Sequence, residues 1–201
     1  MRLNDRLRRV GLRPLGECQD GADVITLIGP DEPHFWPIFR ASPEYGDGAP
    51  NPLDRWSARV VSTIAAEHNG TAIFPFGGPP YAPFQNWALK SGRCWTSPIG
   101  FLVHEDAGLF VSFRGAIRQP GRAVIGTWPC PCESCEDQPC KAACPVDAFA
   151  DGYDVGRCKT YLRSPNGASC MTRGCAARRA CPVGQANRLP DQAAFHMKAF
   201  L

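Results

Sequence analysis

The sequence predicts a mixed α/β domain over residues 1–128, followed by a small cysteine-rich module over residues 129–201. Three observations carry this reading. The chain has 201 residues, somewhat more than one domain at roughly 150 residues each. Its 44% hydrophobic and 20% charged residues are ordinary globular usage, which excludes a disordered chain and a coiled coil. Nine of the 11 cysteines fall between Cys130 and Cys181, and the longer periodic patterns stop at Trp128-Pro129-Cys130.

Taken in order, Ala22 to Gly29 (ADVITLIG) is apolar and β-branched and reads as a strand of a buried sheet. Asn51-Pro52 supplies an N-cap and a proline at the first helical position. Leu53, Trp56, Val60, Val61, Ile64 and Ala65 then share one face at helical spacing, until Asn69-Gly70 ends the helix. Thr71 to Pro75 is a short strand entering the Gly/Pro loop Phe76 to Pro83, and Phe84 to Lys90 is a second helix stopped by Gly92. Ile99 to His104 and Leu109 to Arg114 are expected as two strands joined by the hairpin loop Glu105-Asp106-Ala107-Gly108, with Arg122 to Gly126 as a third. The 73 residues from Pro129 onward bury little apolar surface by themselves, so bound metal is expected to make up the deficit. A final helix, Asp191 to Leu201, offers Ala194, Phe195, Met197 and Ala199 for docking.

Dense cysteine raises the question of disulfides. The first 16 residues, MRLNDRLRRVGLRPLG, carry six charges and form no apolar h-region, so a reducing, cytoplasmic setting is expected. Asn69 to Leu89 is a charge-free stretch of 21 residues, but four Pro and three Gly within it are incompatible with a membrane-spanning helix. Clustered cysteines in such a chain are read as metal ligands.

The first run is Cys132-x2-Cys135-x4-Cys140-x3-Cys144-Pro145. CESCEDQPCKAACPVDA resembles the ferredoxin-type electron-transfer subunits of membrane and respiratory oxidoreductases, whose similar run binds a 4Fe-4S cluster. The second set is Cys158, Cys170, Cys175 and Cys181-Pro182, and CPVGQA at Cys181 to Ala186 echoes CPVDA at Cys144 to Ala148. In two-cluster ferredoxins the cysteine before proline ligates the other cluster. Applied to this chain, one 4Fe-4S cluster takes Cys132, Cys135, Cys140 and Cys181, and the other takes Cys144, Cys158, Cys170 and Cys175. Cys18, Cys94 and Cys130 are left over: the first two are expected to be small buried thiols, and Cys130 is an alternative to Cys132. Tetrahedral zinc on Cys132, Cys135 and a later pair, or a single cluster, are the competing readings.

The second half as a whole resembles the iron–sulfur region of epoxyqueuosine reductase and the reductive dehalogenases, cobalamin-dependent reductases with two 4Fe-4S clusters. The resemblance runs through CESCEDQPCKAACPVDAF, GYDVGRCKTYL and GCAARRACP. Epoxyqueuosine reductases carry a further cysteine within the last element, where Ala176 to Ala180 has none; Cys170 is expected to take that role. PFQNWALKSGRCWTSPIGFLVHEDAGLFVSFRGAI, from residue 83 on, is similar to the stretch before the clusters in those reductases. It is also similar to the cobalamin-processing protein of the methylmalonic aciduria and homocystinuria type C family. That resemblance implies a reduced nitroreductase-like α/β fold and a corrinoid or flavin-like site in residues 1–128; it carries across no catalytic residue.

Other features have simpler explanations. The loop Phe76 to Phe84 (FGGPPYAPF) suits a Pro/Gly turn or the approach of a flat ligand. His34, His68, His104 and His196 are scattered and expected to be structural, and the five Trp are expected in core packing. Arg173, Arg178 and Arg179 suit charge compensation of an anionic cluster and raise its potential; nucleic acid is not the expected partner. The expectation is therefore an iron–sulfur redox protein whose two 4Fe-4S clusters relay electrons, with redox donor and acceptor proteins or a small-molecule substrate as partners, to a cobalamin-type cofactor or substrate in residues 1–128. The alternatives are a ferredoxin-like carrier without a second cofactor and an RNA-binding or assembly module with structural clusters.

Overall fold

The computed structural model describes residues 1–185 and 189–201; Ala186, the last residue of the CPVGQA echo, lies outside them. In chain order the elements are α1 (Leu3–Arg8), β1 (Leu12–Asp20), β2 (Asp23–Pro30), α2 (Phe35–Arg40), α3 (Pro43–Gly46), α4 (Pro52–Glu67), β3 (Thr71–Ile73) and α5 (Phe84–Lys90). They continue with β4 (Cys94–Thr96), β5 (Leu102–His104), β6 (Gly115–Pro120), α6 (Val155–Arg163), α7 (Ala168–Arg173), α8 (Ala176–Ala180) and α9 (Pro190–Phe200). The class is α+β, with antiparallel sheet pairing.

The chain forms two compact units, one of Met1–Cys94 with Ser112–Trp128 and one of Trp95–Val111 with Pro129–Leu201. Segment 95–111 thus belongs with the cysteine-rich residues rather than with the first domain as expected. The reason is apolar need: Ile99, Val103 and Leu109 bury themselves with Cys140, Ala177 and Cys181 in one core. The module borrows from upstream the hydrophobic residues that it lacks.

The first unit is built on a four-stranded sheet in the order β1-β2-β6-β3. β2 matches the apolar run read from sequence and is buried from Ile25 to Pro30. β1 carries no such signal, because Pro14 and Gly16 interrupt its alternation. They sit at a register shift on an edge strand, where the missing proline N–H and a bulge are tolerated. The strands expected at Leu109–Arg114 and Arg122–Gly126 are not formed; β6 lies between them, pairing Gly115 with Ile28 and Pro120 with Asp23. Small Gly115 and Ala116 and polar Arg118 and Gln119 hid this strand, while Leu109 serves the other unit's core. Ile99–His104 shortens to β5, and its expected hairpin reduces to a single bridge between His104 and Gly108.

α4 buries the expected face, Leu53, Trp56, Val60, Val61, Ile64 and Ala65, together with Ser57. Its cap differs from expectation: Asn51 is left-handed (φ 52°, ψ 49°) and its side chain makes no capping bond, so Pro52 in the first turn is the start signal that holds. Phe35 of α2 meets Trp56 edge-on at 5.6 Å, placing Trp36 and Trp56 in the core. Arg59 grips the buried Glu44 with both Nε and Nη2, the latter at 2.9 Å, and this holds the Glu44 carboxyl down at about 2.

In the second unit β4 and β5 pair, and α9 packs on α7. The residues that α9 buries are Gln192 and Ala193 rather than the expected set; Ala194, Phe195 and Met197 are half-buried and Ala199 is exposed. Among the described residues no helix is long and apolar enough to cross a membrane.

Candidate metal centre

Nine of the eleven thiols lie in the second unit, and no cysteine forms a disulfide. Eight of those nine line two cavities. Cys132, Cys135, Cys140 and Cys181 surround a small one of about 20 Å³, beside Ser97 and Val103. Cys144, Cys158, Cys170 and Cys175 surround a larger one of about 200 Å³, beside Tyr153 and Arg178.

Local structure explains how one chain feeds both cavities. The turn over residues 140–144 leaves Cys140 at the small cavity and Cys144 at the large one. The five-residue α8 repeats the step: Cys175 stands at its N-cap on the large cavity and Cys181 at its C-cap on the small one. Between them, Ala177 is fully buried. Cys158 projects from α6, whose N-cap Asp154 accepts a 2.8 Å bond from the Arg157 N–H, and Cys170 projects from α7. On α9, Ala193, His196, Met197 and Phe200 share the face that closes the large cavity.

The thiols of each set influence one another. Burial pushes the Cys132 thiol up to about 11, reinforced by the charge and hydrogen bond of Cys130 and by the charges of Cys181 and Cys140. Cys140 is raised by burial and then by Cys181 and Cys135, with the N–H groups of Cys140 and Lys141 opposing. Cys175 is raised mainly by burial; the N–H groups of Arg178 and Ala177 and the Arg178 charge oppose this. Tyr153 is raised by burial, by a hydrogen bond to Cys158 and by the charges of Cys158, Cys175 and Cys144.

These surroundings suit an anionic, sulfur-ligated group. Backbone N–H donors face the sulfurs, including Ala148 N–H to Cys144 Sγ at 3.3 Å. The Ser97 hydroxyl is 5% exposed, beside the small cavity, and has no hydrogen-bond partner, a donor held ready for something between the thiols. Among the described residues no three His, Cys, Asp or Glu side chains gather closely enough to hold one metal ion.

The remaining candidates fall elsewhere. Cys18 and Cys94 are buried in the first unit, as small thiols. Cys130 is partly exposed beside Cys132 but does not line the small cavity. His196 lines the large cavity, while His104 is buried with its Nδ1 facing the N–H groups of Asp106 and Ala107 at 3.2 and 3.3 Å. Arg173 is exposed and Arg179 turns to the Gly174 carbonyl and Ser169, so of the three arginines Arg178 is the one that lines a thiol-lined cavity.

Sequence reasoning missed Ser97, Tyr153 and the aromatic wall of the large cavity. There Phe149 and Tyr153 stack at 4.9 Å, and Phe101 stands edge-on to both at 5.1 Å. The only sequence signal was an aromatic pair four apart between Cys144 and Cys158. Comparison of the chain with family models, with curated proteins and with solved structures returns no match.

Proposed function

We propose that this chain is an iron–sulfur electron-transfer protein whose second unit is a ferredoxin-like module for two 4Fe-4S clusters. One cluster is assigned to Cys132, Cys135, Cys140 and Cys181, the other to Cys144, Cys158, Cys170 and Cys175. The observation that supports the reading is the division of eight thiols, four to each cavity, with the cysteine before proline serving the cavity opposite to its neighbours.

Such clusters, when bound, supply one-electron redox chemistry at potentials set by charge, hydrogen bonds and solvent exposure. The chain's own residues then do the rest. Eight soft thiolates hold the iron. The N–H of Ala148 and the hydroxyl of Tyr153 donate to the sulfurs of Cys144 and Cys158, and the unpartnered Ser97 hydroxyl lies beside the small cavity. Phe101, Phe149, Tyr153 and Met197 keep water from the larger site. The two sites are joined by α8, with Cys175 at its N-cap and Cys181 at its C-cap.

The electron donor and acceptor are a redox protein or a small-molecule substrate. The resemblance described above favours a corrinoid-linked reductase, with residues 1–128 as the cofactor or docking unit. The test is elemental analysis of protein purified without oxygen. About eight iron and eight acid-labile sulfide per chain support the reading, and zinc in their place overturns it. Cobalt or flavin in the same sample decides between a reductase with its own second cofactor and a carrier without one.

A further inference from the structure

The two sites differ in charge. The described lining of the small cavity contains no charged side chain, and three of its four cysteines are carried on a loop with exposed Glu133, Glu136 and Asp137. Arg178 lines the large cavity. That side chain is held rather than free: its Nε donates to the Leu109 carbonyl at 2.6 Å and its Cζ lies 5.4 Å over the Phe110 ring. Burial lowers its pKa, while the charges of Cys175 and Tyr153 favour its charged form. Arginine stays protonated under such conditions, so a fixed positive charge stands beside Cys175 of this site.

Hydroxyl donors do not separate the sites, because each has one. Tyr153 donates to Cys158 in the large cavity, and Ser97 stands unpartnered in the small one. Two neutral donors roughly cancel, whereas a partly desolvated cation acts through a low local dielectric and is screened far less than the exposed acids. Exposed acids flank both sites, with Asp147, Asp151 and Asp154 beside the large one, so they do not separate the two. Arg178 does, because an added electron is more stable beside a partly desolvated cation.

We infer that Arg178 makes the Cys144/Cys158/Cys170/Cys175 site the higher in reduction potential, so that an electron entering the module comes to rest there. This rests on the two-cluster reading above. It gives the module a direction, with the small site on the donor side and the large site on the acceptor side. Arg178 acts through the cluster's surroundings and is a tuning residue, not a ligand.

The test is a redox titration, followed by electron paramagnetic resonance, of full-length protein reconstituted with iron and sulfide. Two one-electron waves are expected. Arg178→Gln should move only the higher wave, lowering its ratio of reduced to oxidised form at fixed potential about tenfold, or about 59 mV for a one-electron couple. Arg178→Lys should recover most of that shift, and Ser97→Ala should move only the lower wave. A shift of the lower wave in Arg178→Gln, or of neither wave, overturns the inference. Should Arg178→Gln take up less iron, Ser97→Ala still decides: movement of the higher wave contradicts the assignment of sites. Protein without about eight iron per chain fails the underlying reading instead, and shows no pair of waves to assign.

Discussion

Cys140 and Cys144 are four residues apart and line different cavities, Cys140 the small one and Cys144 the large one. Cys175 and Cys181 repeat the relationship across α8. Each site is therefore built from distant parts of the chain. Metal loading and folding of this unit are expected to be coupled.

Cys130 tests how complete the small site is. It touches Cys132 without lining the cavity, so four thiols are present there without it. Cys130→Ala should retain about eight iron per chain and Cys132→Ala should lose about half, read by iron and sulfide assay. Equal loss in both variants would make Cys130 a ligand.

The turn after Cys181 is held by two glycines that face each other. Gly184 has φ +73° and a Cβ there would collide with the Ala107 carbonyl oxygen; Gly108 has φ +57° and a Cβ there would collide with the Val183 carbonyl oxygen. Neither backbone can yield without moving Cys181-Pro182. Gly184→Ala should therefore cost iron at the small site, leaving about four per chain. Gly46→Ala, which meets nothing within 4 Å, should leave the content unchanged.

Cys18 gives a pH dependence that involves no metal. Burial, helped by Asp20 and opposed by Lys90, pushes its thiol from 9.0 up to about 11. The folded chain thus keeps this proton to higher pH than the unfolded chain does. Its contribution is complete below about 9.0 and is lost as pH rises to about 11, a change on the order of 2 kcal/mol. Melting temperature should fall across that window, and Cys18→Ala should flatten the fall. An unchanged slope in the variant would remove Cys18 as its source.

The parts of the molecule legible in sequence are those with local signals. α4 shows itself through one apolar face, β2 through a β-branched run, and the cysteine sets through spacing and the two Cys-Pro steps. The parts hidden depend on non-local contacts. β1 is a strand despite Pro14 and Gly16 because β2 supplies the partner, and segment 95–111 joins the cysteine-rich unit because Ile99, Val103 and Leu109 meet Ala177 and Cys181 there. Three neighbouring arginines look equivalent along the chain. Only helix phase and the Leu109 carbonyl turn Arg178, and not Arg173 or Arg179, toward a cavity.

The crossed division of thiols is the central claim, and iron content in two double variants tests it most directly. Cys135→Ala with Cys181→Ala removes two ligands from one site and should leave about four iron per chain; Cys135→Ala with Cys144→Ala damages both sites and should leave almost none. The reverse pattern, with about four iron retained when Cys135 and Cys144 are lost together and almost none when Cys135 and Cys181 are, would contradict the account.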